Sequence, residues 1–314
     1  MKSQYNILVT GCGGDIGQSI GKILKSERLF SSVIGCDIHE HHAGKFIFDH
    51  FVKVKPCHFD DYLQELSKVI EKFNIHIVLP ASEPELRWLT DNQLINQLLG
   101  RILITANLRS MDVGFDKYTT AKFLKENQLP FPETDLISEI ISPVLPLIVK
   151  SRKSSGSKSL FFVSDQEEFK FLKRKYPDYI VQEVLENENE EYTCGLFRDM
   201  REQTRTLVYR RKLMGGFSGF GTVVYDKTIE NLLLKIADFL DLRGSINVQL
   251  RLSTKGPVVF EINPRFSSTV MFRHMMGFKD VIWCIEDRLG LHVSSYTAPK
   301  NGQNFYKGFY EYID

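Results

Sequence analysis

The sequence predicts an α/β protein in which an alternating strand and helix half precedes an antiparallel, hairpin-rich half. Three observations carry this expectation. Short apolar strands alternate with amphipathic stretches over roughly the first hundred residues, the pattern of a parallel sheet with crossover helices. Alternating runs joined by short turns dominate the remainder. The 314 residues are 43% hydrophobic, ordinary for a globular chain and ample for two or three subdomains with packed cores.

The charge balance removes some function classes at once. With 40 Lys+Arg against 39 Asp+Glu the formal net charge is +1, which gives no global reason to expect a nucleic-acid partner. No apolar run approaches the length needed to span a bilayer, so no membrane partner is expected. The five cysteines are scattered and lack a Cys-x-x-Cys pair, and the N-terminus leads directly into an apolar strand without a signal pattern. The expectation is a cytoplasmic protein with reduced thiols. His39-Glu40-His41-His42 lacks metalloprotease spacing and has no evident distant ligand, and it reads as a solvated loop.

Taken in order, an apolar strand over 7–10 runs into Gly11-Cys12-Gly13-Gly14-Asp15-Ile16-Gly17, an amphipathic stretch to about Lys25, and a strand over 33–37 ending in Asp37. This is a Rossmann-like βαβ unit. It continues with helices over 59–73 and 83–98 and strands over 75–80 and 102–104. The glycine turn with Asp37 twenty residues after Gly17, together with Tyr118-x-x-x-Lys122, also fits the fingerprint of an NAD(P)-dependent short-chain-type oxidoreductase. The Tyr-x-x-x-Lys pair comes too early for the usual strand order, and the glycines serve equally well for a tight turn and close helix packing.

The second half opens with Phe115-Asp116-Lys117-Tyr118 at the start of a helix. A strand over 145–150 ends in Lys150 and passes into a basic, hydroxyl-rich loop containing Ser155, Gly156 and Ser157, before a return strand over 160–163. Such a hairpin suits polyphosphate, because backbone N–H and ammonium groups meet anionic oxygens, although a polar hairpin loop has the same composition. A charged helix over 167–175 follows. The strand over 179–185 exits through Glu183, Val184 and Leu185, whose backbone groups can meet a purine edge, and Glu191 begins the return strand, placed to accept ribose hydroxyls. On the strand over 206–213, Arg210 and Lys212 share a face, either as anchors for a substrate carboxylate or as solvated cations. Residues 215–221, including Gly216 and Ser218, form a glycine-dense loop able to shape a substrate pocket. Amphipathic helices are expected over 229–240 and 281–289, with an aromatic tail packing back on the body.

The most informative stretch is a hairpin, Gly244-Ser245-Ile246-Asn247-Val248-Gln249-Leu250-Arg251 followed by Val258-Val259-Phe260-Glu261-Ile262-Asn263-Pro264-Arg265. With its loop centred on Lys255, Gln249 faces Glu261 and Asn247 faces Asn263, while Val258, Phe260 and Ile262 join the apolar face. One carboxylate among amide oxygens suits Mg²⁺ (or Mn²⁺), and Arg265 beyond the strand end can hold a phosphate or carboxylate oxygen. A hairpin with one wet face has the same pattern.

The order of these elements resembles the ATP-grasp superfamily, most closely a short form of the carbamoyl-phosphate synthase large-subunit type. The resemblance covers nearly the whole chain, which is nevertheless much shorter than a full synthase. It implies a Rossmann-like pre-ATP-grasp domain over 1–108, an N-terminal grasp subdomain with lid and phosphate loop over 109–180, and a C-terminal subdomain with the metal site over 181–314. It also implies ATP and Mg²⁺ as cofactors. Lys117, Lys150 and the Ser155-Gly156-Ser157 loop would hold phosphates, Glu183, Val184, Leu185 and Glu191 the nucleoside, and Gln249, Glu261 and Asn263 the metal. Lys150 and Arg265 would serve catalysis, and Glu83, Arg210, Lys212, Gly216 and Ser218 the substrate side. Ser151, Ser218 and Phe220 depart from the family pattern. The implied activity is an ATP-dependent carboxylate–amine ligase acting on a small-molecule carboxylate and amine through an acyl phosphate. A MgATP-binding subunit without turnover is the alternative within the same family, and either a homodimer or a partner subunit is compatible with the pattern.

Overall fold

The computed structural model describes residues 5–153, 159–185, 191–215, 217–254 and 256–313. Three sheets organise it. The first has strand order His50–Lys53, Ser32–Asp37, Asn6–Thr10, Ile77–Pro80, Arg101–Leu103, Gln97–Leu98, parallel except for the last pair. The α/β class is thus as expected. The predicted helix over 83–98 is shorter, Glu83–Asp91. It stops where Asn92 turns out and Gln93 adopts φ 59°, and the chain then forms the edge strand Gln97–Leu98.

The second sheet is small and antiparallel, ordered Thr134–Leu136, Ile180–Glu183, Leu147–Lys150, Leu160–Val163. It packs on the helix Gln166–Lys175 around its own apolar cluster, in which Val149, Val163 and Phe169 are buried. The third sheet is antiparallel with six strands, ordered Gly256–Asn263, Gly244–Ser253, Glu191–Arg198, Thr204–Met214, Phe217–Val223, Asn304–Tyr306. Residues 217–221, expected to be loop, belong to that sheet, and the tail joins it through Asn304–Tyr306. The strand is edge-paired on both sides, which satisfies its backbone and overrides the poor strand preference of its glycines.

The first and third sheets share apolar clusters. One runs from Leu8, Ile34 and Val78 through Met111 and Phe123 to Ile246, Val248 and Ile262. The helix Lys117–Glu126 lies in that seam, capped by Asp116, whose carboxylate accepts from the Tyr118 N–H at 2.9 Å and pairs with Arg152 at 2.6 Å. No helix among the described residues is long and apolar enough to cross a membrane.

The hairpin of Gly244–Ser253 and Gly256–Asn263 has the expected register at its functional end, Gln249 opposite Glu261 and Asn247 opposite Asn263. A bulge then shifts the pairing, so that Leu250 faces Val259. One extra residue on one strand re-aims the side chains beyond it. Val259 is therefore fully buried on the core face, and Phe260, expected there, turns to the opposite side.

Candidate active site

A cavity of about 1020 Å³ is walled by all three sheets. Ligand pockets commonly measure about 300–1,000 Å³, so this one lies at the upper end of that range. Lys117, Lys150, Glu183, Leu185, Glu191, Gln249, Glu261, Asn263 and Arg265, distant in sequence, all line it.

Lys150 ends the strand Leu147–Lys150 of the small sheet and is 7% exposed. Its ammonium donates to Gln182 Oε1 at 2.7 Å, and Gln182 in turn donates to Thr134 Oγ1 at 2.9 Å. Burial, with Lys117 and Arg251 adding positive charge, pushes the Lys150 pKa down to about 8 against the pull of Glu261. Phe260, turned by the bulge, places its ring 5.8 Å from the Lys150 ammonium.

Glu261 pairs with Lys117 at 3.1 Å. Burial alone would raise its pKa, but the charges of Lys117, Lys150 and Arg265 outweigh burial and hold the carboxyl below its ordinary range. An acid kept ionised beside the amide oxygens of Gln249 and Asn263 is a hard-oxygen donor set of the kind that fits Mg²⁺. Asn247 does not add to it. Its oxygen accepts from Thr193 at 2.9 Å and from the fully buried Arg273, which pairs with Asp280 at 3.1 Å and locks the hairpin to the helix Asp280–Arg288.

Glu191 lies between two arginines that sequence reasoning did not select. Arg211 reaches its Oε1 at 2.9 Å and Arg251 its Oε2 at 3.2 Å. Arg211 is 9% exposed and lines the cavity, whereas Arg210 and Lys212 on the same strand are exposed and do not line it. The strand does place Arg210 and Lys212 on one face, but that face is the outer one. Ser218, fully buried, accepts from Arg211 Nη1 at 3.1 Å and so sits behind the arginine. Val184 does not line the cavity, while Glu183 and Leu185 do, and the Leu185 carbonyl accepts from Arg251 at 3.2 Å. Ser155, Gly156, Ser157 and Gly216 lie outside the described residues.

On the parallel-sheet side, Glu83 pairs with Arg265 at 3.2 Å and Arg87 at 2.8 Å, tying the two large sheets together. The glycine turn lines the same cavity through Gly11, Gly13 and Gly14. Asp37 accepts from the Gly13 N–H at 2.8 Å and the His39 N–H at 3.0 Å. A Cβ on Gly17 would lie 2.3 Å from the Gly11 carbonyl oxygen, so that glycine is required by close packing of helix on strand. Tyr118 and Lys122 do not line the cavity, and the Lys122 ammonium lies over the Tyr118 ring at 4.4 Å. The oxidoreductase reading therefore finds no support in the placement of its acid pair. His42 does have distant neighbours of metal-binding type, since its ring and the side chains of Cys12 and Asp37 approach within 4.8 Å of one another.

Residues 115–269 match the family model of the ATP-grasp domain. Among curated relatives, the D-alanine–D-alanine ligase of Petrotoga mobilis is 28% identical over 95 residues, which is 28% of this chain and 32% of that protein. Among solved structures, the N5-carboxyaminoimidazole synthetase of Staphylococcus aureus complexed with ADP superposes with TM-score 0.74 at 16% identity, over 94% of this chain and 79% of that one. The L-amino acid ligase of Bacillus licheniformis gives TM-score 0.69 at 16% identity, over 92% and 75%.

Proposed function

We propose, from the match of residues 115–269 to the ATP-grasp domain, that the chain is an ATP-dependent ligase joining a small-molecule carboxylate to an amine. The observation that carries this reading is the convergence, in one cavity, of Lys117 and Lys150 with Gln249, Glu261, Asn263 and Arg265. In the proposed reaction the substrate carboxylate attacks the γ-phosphate, ADP leaves, and the amine then displaces phosphate from the acyl phosphate to form the amide. Such phosphoryl transfer depends mainly on positioning and charge neutralisation, which is what this wall supplies.

Lys150, fixed by Gln182, would meet the phosphates, and Lys117 would meet them as it exchanges Glu261 for the nucleotide. Glu183 and Leu185 line the cavity at the small sheet's exit, where an adenine would lie. Glu191, pinned by Arg211 and Arg251, would accept from ribose hydroxyls. Gln249, Glu261 and Asn263 would hold Mg²⁺ or Mn²⁺, which supplies charge neutralisation on the phosphate oxygens when bound. Arg265, oriented by Glu83, would steady the developing acyl phosphate. The loop with Ser155, Gly156 and Ser157 belongs to the proposal as a phosphate cover, and Gly216 as part of the substrate side.

The test is ADP release from MgATP with mixed carboxylate and amine pools, for the wild type and Glu261→Ala. The proposal expects release that needs a carboxylate and is lost in the variant. Magnesium-dependent turnover unchanged in Glu261→Ala overturns the site, and MgATP binding without turnover under any pool identifies a non-catalytic binding subunit instead.

A further inference from the structure

The cavity has two unlike walls. Its grasp side carries Lys117, Lys150, Arg211, Arg251 and Arg265, whereas the crevice of the parallel sheet presents Glu85 with Thr10 and Tyr62. Glu85 sits in the first turn of the helix Glu83–Asp91, is 6% exposed, and still lines the cavity. Its Oε2 accepts from the Thr10 hydroxyl and its Oε1 from the Tyr62 hydroxyl. Both partners are themselves buried, at 2% and 3% exposure.

Two hydroxyl donors, one per oxygen, hold the group as an acceptor, but neither brings a positive charge. Among the described residues Glu85 pairs with no lysine or arginine. The lysine on the same rim, Lys55, is held by Asp61 and by Glu65 at 3.6 Å, and Asp15 is paired with Lys307. A like charge, that of Asp37, acts on Glu85. Burial therefore raises the Glu85 pKa, with the two hydroxyls pulling the other way and Asp37 adding to the rise. A buried carboxylate without a counter-ion is costly, and a ligand cation removes the cost by supplying the missing charge.

We propose that Glu85, held by Thr10 and Tyr62, receives the ammonium group of the substrate, and that the carboxylate which is activated therefore belongs to an amino acid. The ammonium would lie in the crevice of the parallel sheet while the carboxylate faces Arg265 and the phosphates. This rests on the ligase reading and names its substrate class.

The experiment compares phosphate release from MgATP with two pools, one of amino acids (the common L-amino acids, D-alanine, β-alanine and ornithine) and one of their hydroxy and des-amino counterparts. The expected result is stimulation at least about tenfold greater with the amino acid pool, equivalent to about 1.4 kcal/mol. For the active amino acid, Glu85→Gln should raise KM at least about tenfold with kcat within about threefold, and Glu85→Asp should restore part of it. Stabilisation by MgADP should be the same in all variants, which also shows that they fold. Equal stimulation by the two pools, silence of the amino acid pool, or an unchanged KM in Glu85→Gln overturns the inference. The ligase reading fails separately, by the absence of any MgATP binding or by turnover that survives Glu261→Ala.

Discussion

The two walls of the cavity show how differently similar sequence signals are used. The parallel sheet carries a glycine turn followed by an acidic strand end, and the antiparallel sheet carries a hairpin with one acid among amides. In the first, Asp37 accepts from the N–H groups of Gly13 and His39, and Gly17 is required by packing. In the second, Glu261 pairs with Lys117 at 3.1 Å and is held ionised by the cations around it. What differs is the surroundings of the acid: Lys117, Lys150 and Arg265 act on Glu261, whereas Asp37 is held by backbone N–H groups.

That contrast is sharpened first by Lys150. Lys150→Met should weaken MgATP binding about 10- to 100-fold, the loss of one charge-assisted contact of about 1.5–3 kcal/mol. For the wild type, nucleotide affinity should fall as pH rises through about 8, because Lys150 loses its proton there in the free protein and binding must restore it. The variant's affinity should be flat over the same range, as measured by titration calorimetry at several pH values. On the same wall, Arg211→Ala should weaken MgATP by about tenfold, since it frees Glu191 on one side, whereas Arg210→Ala and Lys212→Ala should change affinity by less than about twofold. An equal loss in all three would break the distinction between inner and outer faces.

On the parallel wall the effects should be structural. Gly17→Ala should lower stability by about 1–3 kcal/mol in urea unfolding, through overpacking against the Gly11 carbonyl. Asp37→Asn should cost less, about 1 kcal/mol, because the amide oxygen retains one backbone acceptor role, and it should leave MgATP affinity unchanged.

Much of this was legible in the chain. Local alternation fixed the register Gln249 to Glu261, because the short turn at Lys255 leaves few ways to pair the two runs. The bulge that turns Phe260 into the cavity was not legible, since its extra residue is defined only by the partner strand. Parity on the strand Thr204–Met214 failed for a related reason. Leu207, Val208 and Tyr209 are buried in succession, so both faces of the strand are covered there and alternation does not say which face is inner. Glu85 was overlooked in favour of Glu83, yet a signal existed. Glu85, Leu86, Leu89 and Thr90 follow the helical period and are all buried, so the acid lies on the inward face of its helix.

The most direct test of the account is ligand-dependent thermal stabilisation by ATP, with and without Mg²⁺, beside NADPH. At about a hundredfold excess over Kd, MgATP should stabilise the fold by about 2.7 kcal/mol, a rise of roughly 4 °C. ATP without Mg²⁺ should give a smaller rise and NADPH none. Stabilisation by NADPH that is indifferent to magnesium, with no response to MgATP, would contradict the assignment of the two walls.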